Sequence, residues 1–139
     1  MEGLESLINL EELYLSHNGL TKVEGLLSNV STSLIGLHWR LALNRLPQLK
    51  LTTLDVGNNK IDSVPAASLL PLTLLEEFWA NDNLITALPS LPPTSHPNLT
   101  TIYLEGNPVM KDMGTAYKRK VMLEMPQVKQ IDATFVRQS

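Results

Sequence analysis

An eleven-residue pattern that occurs four times constrains the fold of this chain more than any other feature. Apolar residues and one asparagine fill the pattern L-x-x-L-x-L-x-x-N-x-L at residues 10–20, 51–61, 75–85 and 99–109. Alternate side chains of a short strand point to the same side, so each copy presents one apolar face. One unit cannot bury that face alone. The units must therefore stack, each adding one strand to a parallel ladder.

This pattern is typical of leucine-rich repeats, and 27 leucines without a single cysteine favour a uniform aliphatic core. We predict an α/β leucine-rich-repeat solenoid with a short parallel β-ladder on its concave face, an irregular or 3-10 convex side and a C-terminal helical cap. The length of 139 residues suits one domain. Its expected parts are a first repeat at residues 4–26, a degenerate repeat at 27–50, three regular repeats at 51–110 and the cap at 111–139.

The asparagine of each copy is predicted to be structural. Its side-chain amide can satisfy backbone N–H and C=O groups of adjacent turns that would otherwise be buried without a partner. Asn59, Asn83 and Asn107 follow one another at intervals of 24 residues, whereas Asn18 and Asn59 are 41 residues apart. The longer gap should hold one further repeat, although the leucines of residues 27–50 stand at the wrong intervals for the pattern.

The segments outside the strands differ in type. Four prolines lie between residues 89 and 97, in the segment that follows the third copy of the pattern. They predict that this return segment contains no long helix. After Asn107 the repeat period stops, and a helix is expected there. Its buried face should consist of Tyr117, Val121, Met122 and Met125. Pro126 should end this helix, after which Val128 and Ile131 return to extended spacing, as expected of a segment that covers the last strand.

Composition argues against several functional classes. A net charge of −3 provides no basic field for nucleic acid, and no apolar run approaches the roughly 20 residues that span a membrane. The acidic N-terminus does not resemble a signal peptide, and the lack of cysteine suits the cytosol or nucleus. We expect no cofactor or metal, because the histidines lack ligand spacing. We expect no enzymatic activity, because no nucleophile accompanies the carboxylates.

Positions beside the strand leucines should leave the core and form the concave face. They carry acids and large aromatic residues, and no lysine or arginine. Exposed aromatic side chains can anchor an interface, and flanking carboxylates would select a basic partner. An alternative is that the acids only solvate the ladder while Trp79 covers its neighbours. The candidate partner-binding residues are Asp55, Glu77, Trp79, Tyr103, Glu105, Asp82 and Tyr14.

The N-terminal end has only residues 1–8 before its first strand. Without an obvious cap, the first strand would offer unpaired backbone groups and apolar surface. Self-association through this end is therefore a second possible interaction, besides binding of a partner to the concave face.

Residues 75–83 and 102–108, with the tail at 117–123 and 126–136, resemble the leucine-rich-repeat regulatory subunit family of protein phosphatase 1, the regulatory subunit 7 family. The resemblance covers residues 51–137 well, the first repeat only as a generic copy, and residues 27–50 hardly at all. It implies a nuclear and cytoplasmic regulator that holds the phosphatase catalytic subunit against its concave face. Asp55, Glu77, Trp79 and Tyr103 match that family's contact positions. The alternative function is a repeat scaffold for another nuclear or cytoskeletal protein.

Overall fold

The computed structural model describes residues 9–23 and 50–136. These residues form a six-stranded sheet in which the strands follow one another in chain order. The first five strands are parallel, and the sixth is antiparallel to the fifth. The strands are β1 (Glu12–Tyr14), β2 (Thr53–Asp55), β3 (Glu77–Trp79), β4 (Thr101–Tyr103), β5 (Gln130–Ile131) and β6 (Thr134–Phe135). A largely parallel sheet with few helices fits the predicted leucine-rich-repeat solenoid.

Successive side chains along each strand point alternately to the core and to solvent. The central residues Leu54, Phe78 and Ile102 lie in register and are fully buried, whereas the residues on either side of each are only partly buried. The pleat of a β-strand turns successive side chains to opposite faces. In β1 the pattern is weaker, since Leu13 is only partly buried and packs at the margin of the core.

The buried asparagines connect neighbouring repeats, as the sequence predicted. The Asn83 side-chain amide donates to the carbonyl oxygens of Val56, 3.0 Å away in the preceding repeat, and Ala80, 3.1 Å away in its own. Its Oδ1 accepts a 3.0 Å hydrogen bond from the backbone N–H of Ile61. Asn59 and Asn107 are buried in equivalent networks. These bonds satisfy polar groups that stacking removes from water.

The first repeat departs from that arrangement. Asn18 is exposed, and its amide donates to the carbonyl oxygen of Ser16 within its own turn. β1 is the first strand of the described ladder, so no described repeat precedes Asn18 for its amide to bridge to. Residues 1–8, on which the expectation of an uncapped N-terminal end depends, lie outside the described residues.

β1 and β2 are neighbours in the described ladder, although Asn18 and Asn59 are 41 residues apart. β1 pairs directly with β2, with Leu13 opposite Leu54 and Tyr14 opposite Asp55. No other strand of the described residues lies between them. The degenerate repeat assigned to residues 27–50 otherwise lies outside the described residues, of which only residue 50 belongs to that range.

The return segments are short, because each has to span only one repeat. Helix α1 (Ala66–Leu69) follows β2. Residues 84–98 contain no helix, as the prolines predicted. His96 is fully buried in this arm, where its Nε2 lies 2.8 Å from the carbonyl oxygen of Leu69 at the end of α1. The arm is thus bonded to the repeat before it.

The C-terminal segment covers the core beyond β4. It contains α2 (Pro108–Met113), a 3-10 turn (Gly114–Ala116) and α3 (Tyr117–Glu124), and α3 ends just before Pro126, as predicted. Tyr117, Val121 and Met125 join the core. Met122 does not, because α3 buries the face of Tyr117, Val121 and Met125, and Met122 projects about 100° away from Val121 into solvent. None of the helices among the described residues is long and apolar enough to cross a membrane.

Candidate protein-binding face

The register of the strands arranges the outward side chains in two rows. The first row crosses β1 to β4 and contains Tyr14, Asp55, Trp79 and Tyr103. The second row is displaced by two residues along each strand and contains Glu12, Thr53, Glu77 and Thr101. We call these two rows the ladder face. Five of the seven predicted binding residues lie on it: Tyr14, Asp55, Trp79 and Tyr103 in the first row, and Glu77 in the second.

Two aromatic rings stack on the ladder face at β3 and β4. Trp79 and Tyr103 are stacked with their ring centroids 4.6 Å apart and their planes inclined by 16°. The side-chain amide of Gln130 on β5 donates a 2.8 Å hydrogen bond to the Tyr103 hydroxyl and so fixes one end of the stack. Strand pairing brings the rings together because paired residues on parallel strands share a face. The result is an ordered, half-buried apolar surface.

Two carboxylates of the ladder face are oriented by hydrogen bonds from neighbouring aromatic side chains. The indole Nε1–H of Trp79 donates to Glu77 Oε2 at 3.0 Å, and the Tyr14 hydroxyl donates to Glu12 Oε2 at the same distance. In each case the two residues are two positions apart on one strand and therefore share a face. Each carboxylate is oriented at the surface and keeps a second oxygen for other contacts.

The negative charge of the ladder face acts on its only exposed phenol among the described residues. The pKa of Tyr14 is raised, first by the hydrogen bond to Glu12 and then by desolvation. The charges of Glu12, Glu77 and Asp55 raise the pKa further. Carboxylates from three consecutive strands therefore act on this one hydroxyl, and such a group of charges would favour a basic partner.

Asp82 and Glu105, the other two predicted residues, lie beyond the carboxyl ends of β3 and β4. Both are exposed, and the Asn81 side-chain amide donates to Asp82 Oδ2 at 2.9 Å. Together with Trp79 and Tyr103 they line an open groove that continues from the ladder face toward α2. The structure thus brings these four residues around one depression, while Tyr14 stands two strands away from Trp79.

Gln130 is a member of this site that sequence reasoning missed. A signal was present in the sequence, because the extended spacing of Val128 and Ile131 places the residue before Ile131 on the opposite, outward face. Its contact with Tyr103 could not be seen from that spacing. The contact depends on the pairing of Thr101 with Gln130 across 29 residues of chain.

No group of three or more histidine, aspartate or glutamate side chains within residues 9–23 and 50–136 is arranged to hold a metal ion. Both ring nitrogens of the buried His96 have hydrogen-bond partners within the fold. Its Nδ1 lies 2.9 Å from the Ser95 hydroxyl, and its Nε2 faces the Leu69 carbonyl.

Comparison with known proteins agrees with this architecture. The family model described as Leucine Rich Repeat matches residues 9–32. A 41-residue segment is 61% identical to protein phosphatase 1 regulatory subunit 7 of Xenopus tropicalis, and a 40-residue segment is 62% identical to its Homo sapiens counterpart. A longer segment of 70 residues is 37% identical to protein phosphatase 1 regulatory subunit SDS22 of Schizosaccharomyces pombe.

Part of this chain is similar to protein phosphatase 1 regulatory subunits. The two regulatory subunit 7 matches cover 30% and 29% of this chain and 11% of each relative. The match to regulatory subunit SDS22 covers 49% of this chain and 21% of that relative. The matched segments therefore span only a small part of the length of these phosphatase regulatory subunits.

Proposed function

We propose that this chain is an interaction module that binds the catalytic subunit of protein phosphatase 1 through its ladder face, which we take to be the concave face of the solenoid, and that it performs no catalysis itself. The observation that carries the proposal is the stacked pair Trp79 and Tyr103, with Glu77 held beside it by the indole N–H. The names of the matched relatives support the choice of partner.

The physical basis is the combination of an ordered aromatic surface with oriented charge. Tryptophan and tyrosine dominate interface energies where they are desolvated by a partner. Here the rings are already stacked and Tyr103 is fixed by Gln130, so little side-chain freedom has to be lost on binding. The carboxylates of Asp55 and Glu77 flank the stack and would attract a basic surface.

The test is a titration of purified phosphatase catalytic subunit with the parent chain and with Trp79→Ala, monitored by calorimetry. Trp79→Ala should weaken binding by about 30-fold or more if the stack is a hot spot. Leu123→Ala removes a large side chain that is 68% exposed on α3, away from the ladder face, and serves as the matched control. No binding by the folded parent chain would reject this partner and favour a scaffold for another nuclear or cytoskeletal protein.

A further inference from the structure

We propose that the partner-binding surface continues beyond the last repeat onto the C-terminal hairpin formed by β5 and β6, where Phe135 is its terminal apolar anchor. This inference rests on the proposed function, because it extends the same surface to a residue outside the four repeats. Phe135 was not among the residues that the sequence singled out.

The strand register places Phe135 in the second row of the ladder face. Thr101 on β4 pairs with Gln130 on β5, and Gln130 pairs with Phe135 on β6. Directly paired residues project from the same side of a sheet. The hydrogen bond from the Gln130 amide to the Tyr103 hydroxyl identifies that side as the ladder face. Phe135 therefore projects beside Gln130, one strand farther from the aromatic stack.

The neighbouring residue gives independent support for this orientation. Thr134 pairs with Ile131, which is fully buried on the core side of the sheet. The Thr134 hydroxyl accepts a 2.7 Å hydrogen bond from Nζ of Lys118, a residue of α3, which packs on that side. Because adjacent side chains of a strand point to opposite faces, Phe135 must project away from α3 and toward the ladder face.

The backbone at Phe135 is ordered although its ring is exposed. At 79% it has the highest exposed fraction of the large apolar side chains within the described residues. The backbone around it is nevertheless ordered, since β6 is paired with β5 and the N–H of Val136 donates to the Lys129 carbonyl at 2.8 Å. The Val136 side chain packs against the core. An exposed aromatic ring on an ordered strand offers apolar area that a partner surface can bury.

The chemistry along the two rows specifies the partner surface. Carboxylates at Glu12, Asp55 and Glu77 occupy the ladder face, and no lysine or arginine stands at its positions. The hairpin end instead presents the uncharged Gln130 and Phe135. The fitting partner is a protein surface that is basic opposite β1 to β3 and apolar opposite β6. We commit to the phosphatase catalytic subunit as this partner, seated across the repeats and the hairpin together.

The experiment compares the parent chain with Phe135→Ala, Trp79→Ala and the control Leu123→Ala in titrations of the purified catalytic subunit. Phe135→Ala should weaken binding by about five- to thirty-fold, and Leu123→Ala by less than about twofold. The melting temperature of the Phe135→Ala chain should match that of the parent, because the ring makes little contact with the core. Amide exchange of residues 134–136 should slow when the catalytic subunit is added.

The outcomes separate this inference from the proposed function. If Trp79→Ala weakens binding and Phe135→Ala does not, the contact ends at β4 and the inference is overturned while the proposed function stands. If the parent chain itself fails to bind, the proposed function fails, and the inference that rests on it fails with it. If Phe135→Ala changes the molecular mass measured by light scattering but not the affinity, Phe135 contacts a second copy of this chain, which also overturns the inference.

Discussion

The carboxylate of Asp132 accepts a 2.8 Å hydrogen bond from the backbone N–H of Leu104, where a further repeat would have offered a strand carbonyl. In the repeats before it, the equivalent N–H groups of Val56 and Ala80 donate to the carbonyls of Trp79 and Tyr103. Asp132 also accepts from the N–H of Glu105 at 2.9 Å. One side chain thus ends the ladder by supplying an acceptor that no strand supplies.

Replacement of Asp132 tests this role. Asp132→Ala should lower the free energy of unfolding by roughly 1–3 kcal/mol, because it leaves the buried N–H of Leu104 without an acceptor. Asp132→Asn is the matched control. It keeps one side-chain oxygen and tolerates the backbone φ of +52° at this position. Urea unfolding should rank the parent first, Asn second and Ala last, whereas equal losses for Asn and Ala would contradict the acceptor role.

The buried and exposed asparagines of the repeats predict different losses of stability for the same substitution. Asn83→Ala should cost on the order of 1–3 kcal/mol or more, because several buried backbone groups lose their partner. Asn18→Ala should have little effect, since Asn18 is exposed. Thermal unfolding of both variants decides the matter. Similar losses would show that the first repeat is bridged as the others are.

Leu104 tests whether the last repeat and the C-terminal segment share one core. The side chain is fully buried in the cluster that also contains Val121 and Ile131. Leu104→Ala should cost about 2–5 kcal/mol through lost burial and the cavity left behind. Leu123→Ala removes the same atoms from an exposed site of α3 and should cost far less. If the melting curve of Leu104→Ala matches that of the parent, Leu104 does not contribute to the core as proposed.

His96 predicts a stability that depends on pH. Burial lowers the pKa of its imidazole below the ordinary value of 6.5, and the hydrogen bond to the Leu69 carbonyl only partly opposes this. The unfolded chain therefore binds a proton more readily than the folded chain. Stability from the neutral ring is complete above pH 6.5 and falls as the pH drops toward the lowered pKa. Urea unfolding between pH 8 and pH 5 should show the parent losing stability relative to His96→Gln. A constant difference would contradict it.

Glu77 should contribute to partner binding by charge. Glu77→Lys should weaken binding of the phosphatase catalytic subunit more than Glu77→Gln, because reversal adds repulsion to the lost attraction. The loss for Glu77→Gln should shrink at high salt, where the screening length falls from about 10 Å at 0.1 M to about 3 Å at 1 M. The loss for Trp79→Ala should persist. Calorimetric titrations at both salt concentrations would reject charge complementarity if the Glu77 variants bind as tightly as the parent.

Much of the fold followed from local spacing. The apolar pattern identified Leu54, Phe78 and Ile102 as core residues, and the same pattern turned Trp79 and Tyr103 outward, as the structure confirms. The buried asparagines and the end of α3 before Pro126 were likewise predictable. Each of these depends on side-chain period, on hydrogen-bonding capacity or on the missing N–H of proline, all of which are properties of a short stretch of chain.

Contacts between distant segments were decided by the tertiary structure alone. Spacing could count the residues between Asn18 and Asn59, but not show that β1 pairs directly with β2. It placed Ile131 in an extended segment without revealing that Asp132 replaces a strand carbonyl, or that the return strand turns Phe135 toward the ladder face. Strand pairing joins residues far apart in the chain, and its register is set by the packing of the whole stack. The alternation within the strands therefore determined which strand side chains leave the core, and the stack determined which of them meet.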